Sequence, residues 1–403
     1  MFKDLINSLT NVNVFTGSLS EFWENIGASS VIILIIVVFM LVGLVDKLRG
    51  DKRGYGARFD AGFQAMGDLA LAVMGIIAVS PVLLQMLAPI VTPLYTLIGA
   101  SPAMFPGSLL ALDMGGYAMS TQMAGDNAAI GNYAGIIVSS MMGITLCFTI
   151  PYAPTVLKKE DHHIFAMGVL IGVVTMPVGC LAGGLLMTFT STPLPFAELL
   201  INTLPVIFLA LIIGLGLFWK QNFMLRLFAG FGKLISFIAT VSLGIAVAQY
   251  LTGIRLPLFY LMVEENEALG AVPIEFAIWL VGAIAVVLAG AFPMILFLNR
   301  RLGKLIDKFG EKFGINRNAS TGLLTQLASS IPVWSVVSDM DKRGKLLNVV
   351  FAVSGSFVLG DVLAFTGGVN PEMVFPVIAA KFTGGILAIL LAILLLKKKI
   401  LKY

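Results

Sequence analysis

Charged residues are scarce in this chain from end to end. Aspartate, glutamate, lysine and arginine make up 12% of the 403 residues, whereas 58% are hydrophobic. A soluble domain carries roughly 25% charged residues. The composition therefore excludes an ordinary soluble domain and predicts an all-α, polytopic integral membrane protein. The net charge of +4 does not indicate nucleic-acid binding, because the basic residues lie in short loops between apolar runs, where they set membrane topology.

Metal ligands and catalytic motifs are equally scarce. Cys147 and Cys180 lie in apolar runs, and the only histidines, His162 and His163, are neighbours in a polar loop. No spacing of these residues fits a metal site. P-loop, His-Glu-x2-His and Gly-x-Ser-x-Gly motifs are missing from the sequence. We therefore expect no metal and no cofactor, and a protein that is not an enzyme.

Apolar runs of spanning length predict about ten to twelve membrane elements, since a spanning helix needs about 20 apolar residues. The run at 63–99 is too long for one straight helix and contains Pro81, Pro89 and Pro93, so it is predicted to form two elements. The runs are 30–45, 63–99, 104–123, 129–152, 164–190, 198–218, 227–252, 270–299, 319–337, 346–366 and 372–396.

Residues 1–28 differ from the rest of the chain. Phe2, Leu5, Ile6 and Leu9 recur at helical spacing among polar residues. This spacing is typical of an amphipathic helix lying on a membrane surface, and a poorly ordered terminus is the alternative. We therefore divide the chain into an amphipathic N-terminal segment, 1–28, and a single transmembrane transport domain, 29–403.

Basic residues predict the orientation. The loops 46–58 and 300–317, the turn 341–345 and the tail 397–402 are basic and are expected in the cytoplasm, which places the C-terminus there. The run 319–337 then begins and ends on the same side. It is predicted to be a re-entrant hairpin with Pro332 near its tip, covered by protein or lining a water-filled cavity.

Two polar side chains of this hairpin are candidate pathway residues. Ser329 is positioned to line a polar path, although serine within a span often bonds to a carbonyl of its own helix. Trp334 is a candidate gate or aromatic wall of the path. It is equally suited to anchor the hairpin at the membrane interface.

Two similar motifs suggest an inverted repeat. Ser101-Pro-Ala-Met-Phe-Pro106 and Asn370-Pro-Glu-Met-Val-Phe-Pro376 are each followed by a polar or charged residue and a Gly-Gly pair. These are Asp113 with its glycines and Lys381 with its glycines. Transporters are often built from two such halves around a shared site, although proline and glycine are also common in membrane helices.

Four ionisable residues lie inside long apolar runs: Asp68, Asp113, Asp361 and Lys381. A charge at the bilayer centre costs about 3 kcal/mol, so such residues usually face a pathway or a partner. Asp68 is a candidate coupling residue, or an ordinary residue near the membrane end of its helix. The other three lie deeper in their runs.

Asp113 is followed by Gly115, Gly116 and Tyr117. Glycines weaken a helix and allow a ligand to approach the backbone. An ammonium group has three N–H donors, which one carboxylate and two further oxygens would satisfy. Tyr117 lies one helical turn on and offers a cation–π contact. The sequence therefore predicts a cation-binding site, with Asp361 as a second ligand or coupling site.

Lys381 is predicted to form a charge pair, since a buried lysine must pair or lose its proton. Its expected partner is Asp361 or Asp113, and such a pair would hold two helices together. If the pair forms, an entering cationic substrate would displace the lysine.

The sequence resembles the ethanolamine permease family of bacterial ethanolamine-utilisation systems. The resemblance is carried by Met104-Phe-Pro-Gly-Ser-Leu-Leu-Ala-Leu-Asp-Met-Gly-Gly116 and by the runs 59–67, 139–143, 177–184 and 340–361, and it covers nearly all of the chain after residue 30. It implies a permease that imports protonated ethanolamine through the bacterial cytoplasmic membrane, for use as carbon and nitrogen. The implied partners are ethanolamine and the lipid bilayer, with homo-oligomerisation left open.

Two alternatives remain at this point. One is an ion-coupled transporter of another small amine or amino acid. The other is a membrane-embedded transferase of lipid head-group alcohols, because the segment 51–58 resembles the start of the motif of such enzymes. That motif also needs further aspartates at fixed helical spacing, which Asp60 and Asp68 do not provide.

Overall fold

In the computed structural model, which describes residues 11–24 and 26–398, helices make up 84% of the described residues. Lipid offers no hydrogen bonds to the backbone, so a spanning segment must satisfy its own N–H and C=O groups as a helix. The predicted all-α polytopic architecture is confirmed.

The principal helices of the described residues are labelled in chain order, and short π or 3₁₀ turns connect several of them. They are α1 (Val12–Glu24), α2 (Ala28–Leu48), α3 (Tyr55–Gln64), α4 (Met66–Leu97), α5 (Met104–Leu109), α6 (Tyr117–Ala124), α7 (Ala128–Asn132), α8 (Ile150–Val156), α9 (His162–Leu186), α10 (Phe196–Thr252), α11 (Pro273–Phe313), α12 (Arg317–Thr325), α13 (Ile331–Val336), α14 (Lys342–Ser354), α15 (Asp361–Val369) and α16 (Val374–Lys397).

Seven helical stretches of the described residues are long and apolar enough to cross a membrane. Helix α10 has 57 residues and departs from helical geometry at Lys220, so it forms two of the predicted spans. The number of spanning elements is then eight. Three interrupted segments, 104–124, 317–336 and 342–369, bring the total to eleven. This number agrees with the predicted ten to twelve. The seven stretches are Ala28–Leu48, Tyr55–Leu97, Ala128–Val156, Lys159–Phe189, Phe196–Thr252, Pro273–Gly303 and Pro371–Lys397.

The predicted division of the run 63–99 at its prolines is wrong. Helix α4 continues for 32 residues through Pro81, Pro89 and Pro93. Prolines are tolerated inside a spanning helix where neighbouring helices support it, and α4 packs along α10 and α11. At 1.5 Å per residue α4 is about 48 Å long, so it must tilt or extend beyond the hydrocarbon core.

The predicted interruption of the run 319–337 is present. Helix α12 ends at Thr325, the chain turns through 326–330, and α13 begins at Ile331. Pro332 lies in the first turn of α13, where its missing N–H would be unpaired in any helix.

The span from Ala128 to Val156 is the most enclosed of the seven, because 94% of its most apolar part is buried inside the protein. Between α7 and α8 it follows wider π-helical turns over Tyr133–Gly143 and Thr145–Thr149. Helices α5 and α9 and the residues 112–116 pack against Tyr133–Gly143. This central span is therefore in contact with both the N-terminal and the C-terminal parts of the transmembrane domain.

Helix α1 is exposed along its whole length. Phe2, Leu5, Ile6 and Leu9, which carried the amphipathic pattern, lie outside the described residues. The division of the chain at residue 28 stays a prediction.

A buried ion pair joins α14 to the loop before α9. Nζ of Lys345 donates to Oδ1 of Asp161 at 2.6 Å, and Oγ of Ser338 donates to Oδ2 at 2.9 Å. Lys345 had been assigned to a basic, topology-determining turn. Its ammonium group is instead nearly enclosed and holds two distant parts of the chain together.

Lys345→Met is expected to destabilise the protein by about 3–5 kcal/mol, because it leaves a buried carboxylate without its cation. Lys345→Met combined with Asp161→Leu is expected to recover most of this loss. Thermal unfolding in detergent measures both. The control is Lys47→Met, which breaks the exposed Lys47–Asp60 pair and is expected to cost at most about 1 kcal/mol. Equal losses from Lys345→Met and Lys47→Met would contradict the assignment.

Candidate functional site

The first interruption of a helix lies at Asp113. Helix α5 ends at Leu109, and Leu110 and Ala111 are extended before α6 begins at Tyr117. Within the connecting turn Gly115 has φ +91°, a left-handed conformation that glycine adopts without strain. The amides of Met114 and Gly116 both donate to the carbonyl of Ala111 at 2.9 Å.

The second interruption lies directly before Asp361. Helix α14 ends at Ser354, the chain turns through 355–360, and α15 begins at Asp361. Phe357 in this turn has φ +64°, which is uncommon for a residue with a side chain. Asp361 is thus the first residue of a helix, and Asp113 lies in the turn that precedes one.

The turn 355–360 and the turn 326–330 satisfy each other's backbone groups. The amide of Phe357 donates to the carbonyl of Gln326 at 2.9 Å, and the amide of Leu359 donates to Leu327 at 2.8 Å. A Cβ at Gly360 would collide with the carbonyl of Ala328. Glycine there lets the two broken backbones come this close.

The interrupted segments meet at a half-open cavity of about 100 Å³ that both aspartates line. The first interruption contributes Asp113, the second contributes Asp361 and Phe357, and the central span contributes Phe148. The rings of Phe148 and Phe357 meet edge to face, with centroids 5.6 Å apart. The remaining wall is apolar and consists of Ala111, Leu112, Met114, Ile144 and Ile331.

This cavity has acidic groups without a cation. In the described part of the chain, no lysine or arginine lies within ion-pair distance of Asp113 or Asp361, whereas Lys345 and Lys47 do have carboxylate partners. A charge in apolar surroundings is costly unless it is paired. The arrangement is therefore suited to a small cation that enters and pairs with one or both carboxylates.

Lys381 does not form the predicted ion pair with Asp361 or Asp113. Its Nζ donates to the carbonyl of Ser140 at 2.8 Å, and the residue is 1% exposed. It lies on the face of α16 that packs against the central span, away from the cavity wall. The prediction was wrong because the sequence does not show which face of α16 turns toward the aspartates.

Three residues beside Asp113 shape the site without lining it. Tyr117 meets Phe365 edge to face, with ring centroids 5.7 Å apart. Gly115 allows the turn, and at Gly116 a Cβ would lie 2.7 Å from the carbonyl oxygen of Ala111. The structure therefore gives the two glycines a backbone role and places the Tyr117 ring against α15.

The two hairpin candidates, Ser329 and Trp334, do not line the cavity. Oγ of Ser329 accepts from the amide of Ile331 at 3.3 Å, which leaves the side chain near the turn. Trp334 is 1% exposed and packs edge to face on Phe165, with ring centroids 5.7 Å apart. Trp334 is thus a core residue behind the hairpin, and Ile331 is the hairpin residue that reaches the cavity.

Asp68 is exposed in the first turn of α4 and does not line the cavity. A carboxylate is favourable at a helix N-terminus because it faces the positive end of the helix dipole. This placement matches the ordinary helix-end interpretation of Asp68.

Sequence reasoning missed the aromatic wall. Phe357 stands between Gly355 and Gly360, a spacing that could have marked a turn with a functional side chain. Phe148 carries no such signal among the 28 phenylalanines of the chain. Ile144, Ile331 and Met114 are ordinary apolar residues that only the folded structure brings to the cavity.

An acidic cavity between interrupted helices, within a multi-pass membrane protein, is the site architecture of a transporter. A family model described as "Ethanolamine utilisation protein, EutH" matches residues 28–395, and the chain belongs to this family.

Three relatives match nearly the whole chain. "Probable ethanolamine permease EutH" of Listeria monocytogenes is 44% identical over 365 residues, which cover 91% of this chain and 93% of the relative. The protein of the same name from Escherichia coli is 38% identical over 93% of this chain and 97% of its own length. "Uncharacterized protein YxeR" of Bacillus subtilis is 41% identical over 89% and 92%. No solved structure matches the chain.

These comparisons confirm the family that the sequence motifs indicated. Relatives named as permeases are transport proteins rather than enzymes, so the expectation of a transporter is also confirmed.

Gly115→Ala is expected to destabilise the protein by about 1–2 kcal/mol, because a side chain is strained in a left-handed conformation. The added Cβ would also lie 3.1 Å from Cγ1 of Ile76. Thermal unfolding in detergent measures the change. Gly214→Ala is the control, since a Cβ there meets nothing within 4 Å and alanine favours a helix. A Gly115→Ala protein as stable as the wild type would show that the turn does not need glycine.

Proposed function

We propose that the chain is a permease that imports protonated ethanolamine across the bacterial cytoplasmic membrane, for use as a source of carbon and nitrogen. The observation that carries this proposal is the cavity between the interrupted helices, where Asp113 and Asp361 face the same space without a cationic partner among the described residues.

The cavity has room for a small amine. About 100 Å³ of it is open to water-sized molecules, several times the roughly 10–15 Å³ that a single water needs. Ethanolamine is an amine of this kind. The two carboxylates would accept hydrogen bonds from the ammonium group, which has three donors.

The aromatic wall adds a second interaction for a cation. A cation over the face of a phenylalanine ring gains about 0.5–2 kcal/mol, with the larger values in desolvated sites. Phe148 and Phe357 line the same cavity as the aspartates. We therefore assign the ammonium group to the space between the carboxylates and these rings.

The membrane potential supplies a driving force for a charged substrate. Each charge that moves inward gains about 2.3 kcal/mol per 100 mV of inside-negative potential. Protonated ethanolamine cannot cross hydrocarbon unaided at a useful rate because its charge is costly there. The neutral form, which crosses the bilayer more easily, becomes scarcer as the pH falls, so a permease is of greatest use at acidic pH.

A contact between two basic segments supports the proposed orientation. Nη1 of Arg300, within α11, donates to the carbonyl of Arg53 at 2.8 Å, so the basic segments 46–58 and 300–317 meet on one side of the protein. Basic loops face the cytoplasm. We propose that this side is cytoplasmic and that the C-terminus lies there too.

Charge balance favours a second candidate within transport, an ion-coupled carrier. One ammonium against two carboxylates leaves one negative charge in the cavity. A second monovalent cation, taken up together with the substrate, would neutralise it. Uptake measured with and without proton and sodium gradients, at a fixed membrane potential, separates this carrier from a uniporter.

Asp113→Asn and Asp361→Asn are each expected to raise the KM for ethanolamine roughly tenfold to a hundredfold, because each removes a charged hydrogen-bond acceptor. The measurement is uptake of labelled ethanolamine by proteoliposomes with an inside-negative potential. Asp126→Asn makes the same charge change at an exposed turn and is expected to transport like the wild type.

The uptake measurements test the location of the binding site and the identity of the substrate separately. Normal uptake by folded Asp113→Asn and Asp361→Asn proteins would remove the binding site from this cavity but retain the permease. No uptake by folded wild-type protein under any gradient would overturn the ethanolamine assignment itself.

Phe148→Leu is expected to raise the KM for ethanolamine severalfold, because an aliphatic side chain retains much of the volume but loses the ring face. Inhibition of uptake by ethylene glycol, a neutral molecule of similar size, should change much less. Equal weakening of both ligands would assign Phe148 a packing role only.

A further inference from the structure

A larger pocket, of about 750 Å³, opens where α2 turns into α3, far along the chain from both aspartates. We propose that it binds an anionic phospholipid, with an acyl chain along α2 and the phosphate at the basic turn that follows. This inference does not depend on which substrate is transported.

The membrane-facing part of the pocket is an apolar stripe on α2. Val38, Leu41, Val42 and Val45 line it, and they are 39–49% exposed. Helix α2 belongs to a spanning stretch of which only 11% is buried within the protein. This stripe therefore faces lipid rather than another helix of the described residues.

The other end of the pocket is cationic. Arg49, Lys52 and Arg53 line it and are exposed. No acidic side chain within the described ranges pairs with them. Arg49 follows Val45 by four residues, one helical turn, so the positive charges begin where the apolar stripe ends. An anionic lipid has the matching arrangement, in which apolar acyl chains lead to a negatively charged phosphate.

The turn that presents these cations is fixed by hydrogen bonds. The carboxylate of Asp46, which is 7% exposed, accepts from the amides of Arg53 at 3.1 Å, Tyr55 at 2.8 Å and Gly56 at 3.3 Å. Asp46 therefore orders the loop and its charge is occupied by backbone amides. The guanidinium of Arg300 lies 5.2 Å from the centre of the Tyr55 ring and closes the turn from the other side.

A lipid fits this surface better than a second copy of the chain. A two-fold dimer through α2, with its axis along the membrane normal, would set the same three cations of both copies against each other. Anionic head groups instead attract such clusters, with about 1 kcal/mol from each lysine or arginine near the membrane surface. The positive charges of the pocket therefore favour an anionic lipid over a second copy of the chain.

The test measures retention of phosphatidylglycerol by the purified full-length protein in detergent, counted by native mass spectrometry. Arg49→Gln combined with Arg53→Gln is expected to weaken retention about tenfold or more. Arg58→Gln combined with Arg301→Gln removes the same charge from exposed positions near this corner but outside the pocket, and should retain the lipid like the wild type. Phosphatidylcholine should show no difference among the proteins.

Three results would overturn the proposal. Unchanged retention by the Arg49→Gln/Arg53→Gln protein would exclude the site. An equal loss in the control protein would reduce the effect to general surface charge. Displacement of the lipid by millimolar inorganic phosphate would identify a site for a free anion. If the double variant does not fold, Lys52→Gln gives the same test, because Lys52 is exposed and forms no ion pair among the described residues.

Discussion

Backbone N–H and C=O groups that a broken helix leaves open inside a membrane must find partners within the protein, because lipid offers none. Here the interrupted segments hydrogen-bond to one another and within their own turns. The turn 355–360 donates to the turn 326–330 through the amides of Phe357 and Leu359, and the carbonyl of Ala111 accepts two amides of its own turn. Neither C-terminal break would be stable alone, since each lost partner costs several kcal/mol. The cavity lies where the broken segments meet, so its position follows from the same constraint.

Some buried charged residues of the chain have a partner within the protein, and others line a cavity without one. Lys345 and Asp161 form a complete pair between two distant segments, and Lys381 is held by the carbonyl of Ser140. Asp113 and Asp361 line a cavity and have no cation among the described side chains. A protein that can pair buried charges for structural purposes leaves these two open at a small cavity. This contrast, rather than the presence of acidic residues in the membrane, is the basis for proposing a cationic ligand at the cavity.

The sequence singled out the two aspartates that line the cavity and not the other residues of its wall, for physical reasons. Asp113 and Asp361 stand out because a charge in an apolar run is costly and rare, and the interruption near Pro332 followed from the charges of the flanking loops. The partner of Lys381 and the position of Trp334 depend on which helix faces meet. Local patterns do not contain that information when every face is apolar. For the same reason Phe148 could not be distinguished from phenylalanines that face lipid.

Charge count at the cavity also bears on how strongly the transporter can concentrate its substrate. If protonated ethanolamine crosses alone, 100 mV of inside-negative potential supports an accumulation of roughly fiftyfold. If a second cation accompanies it and is returned outside by other means, two charges cross and the same potential supports roughly a two-thousandfold ratio. In the first case the ammonium group contacts both aspartates, one of them protonated, so that the occupied site carries no net charge in its apolar surroundings. In the second case one carboxylate binds the amine and the other binds the coupled cation, so the two aspartates would have different roles.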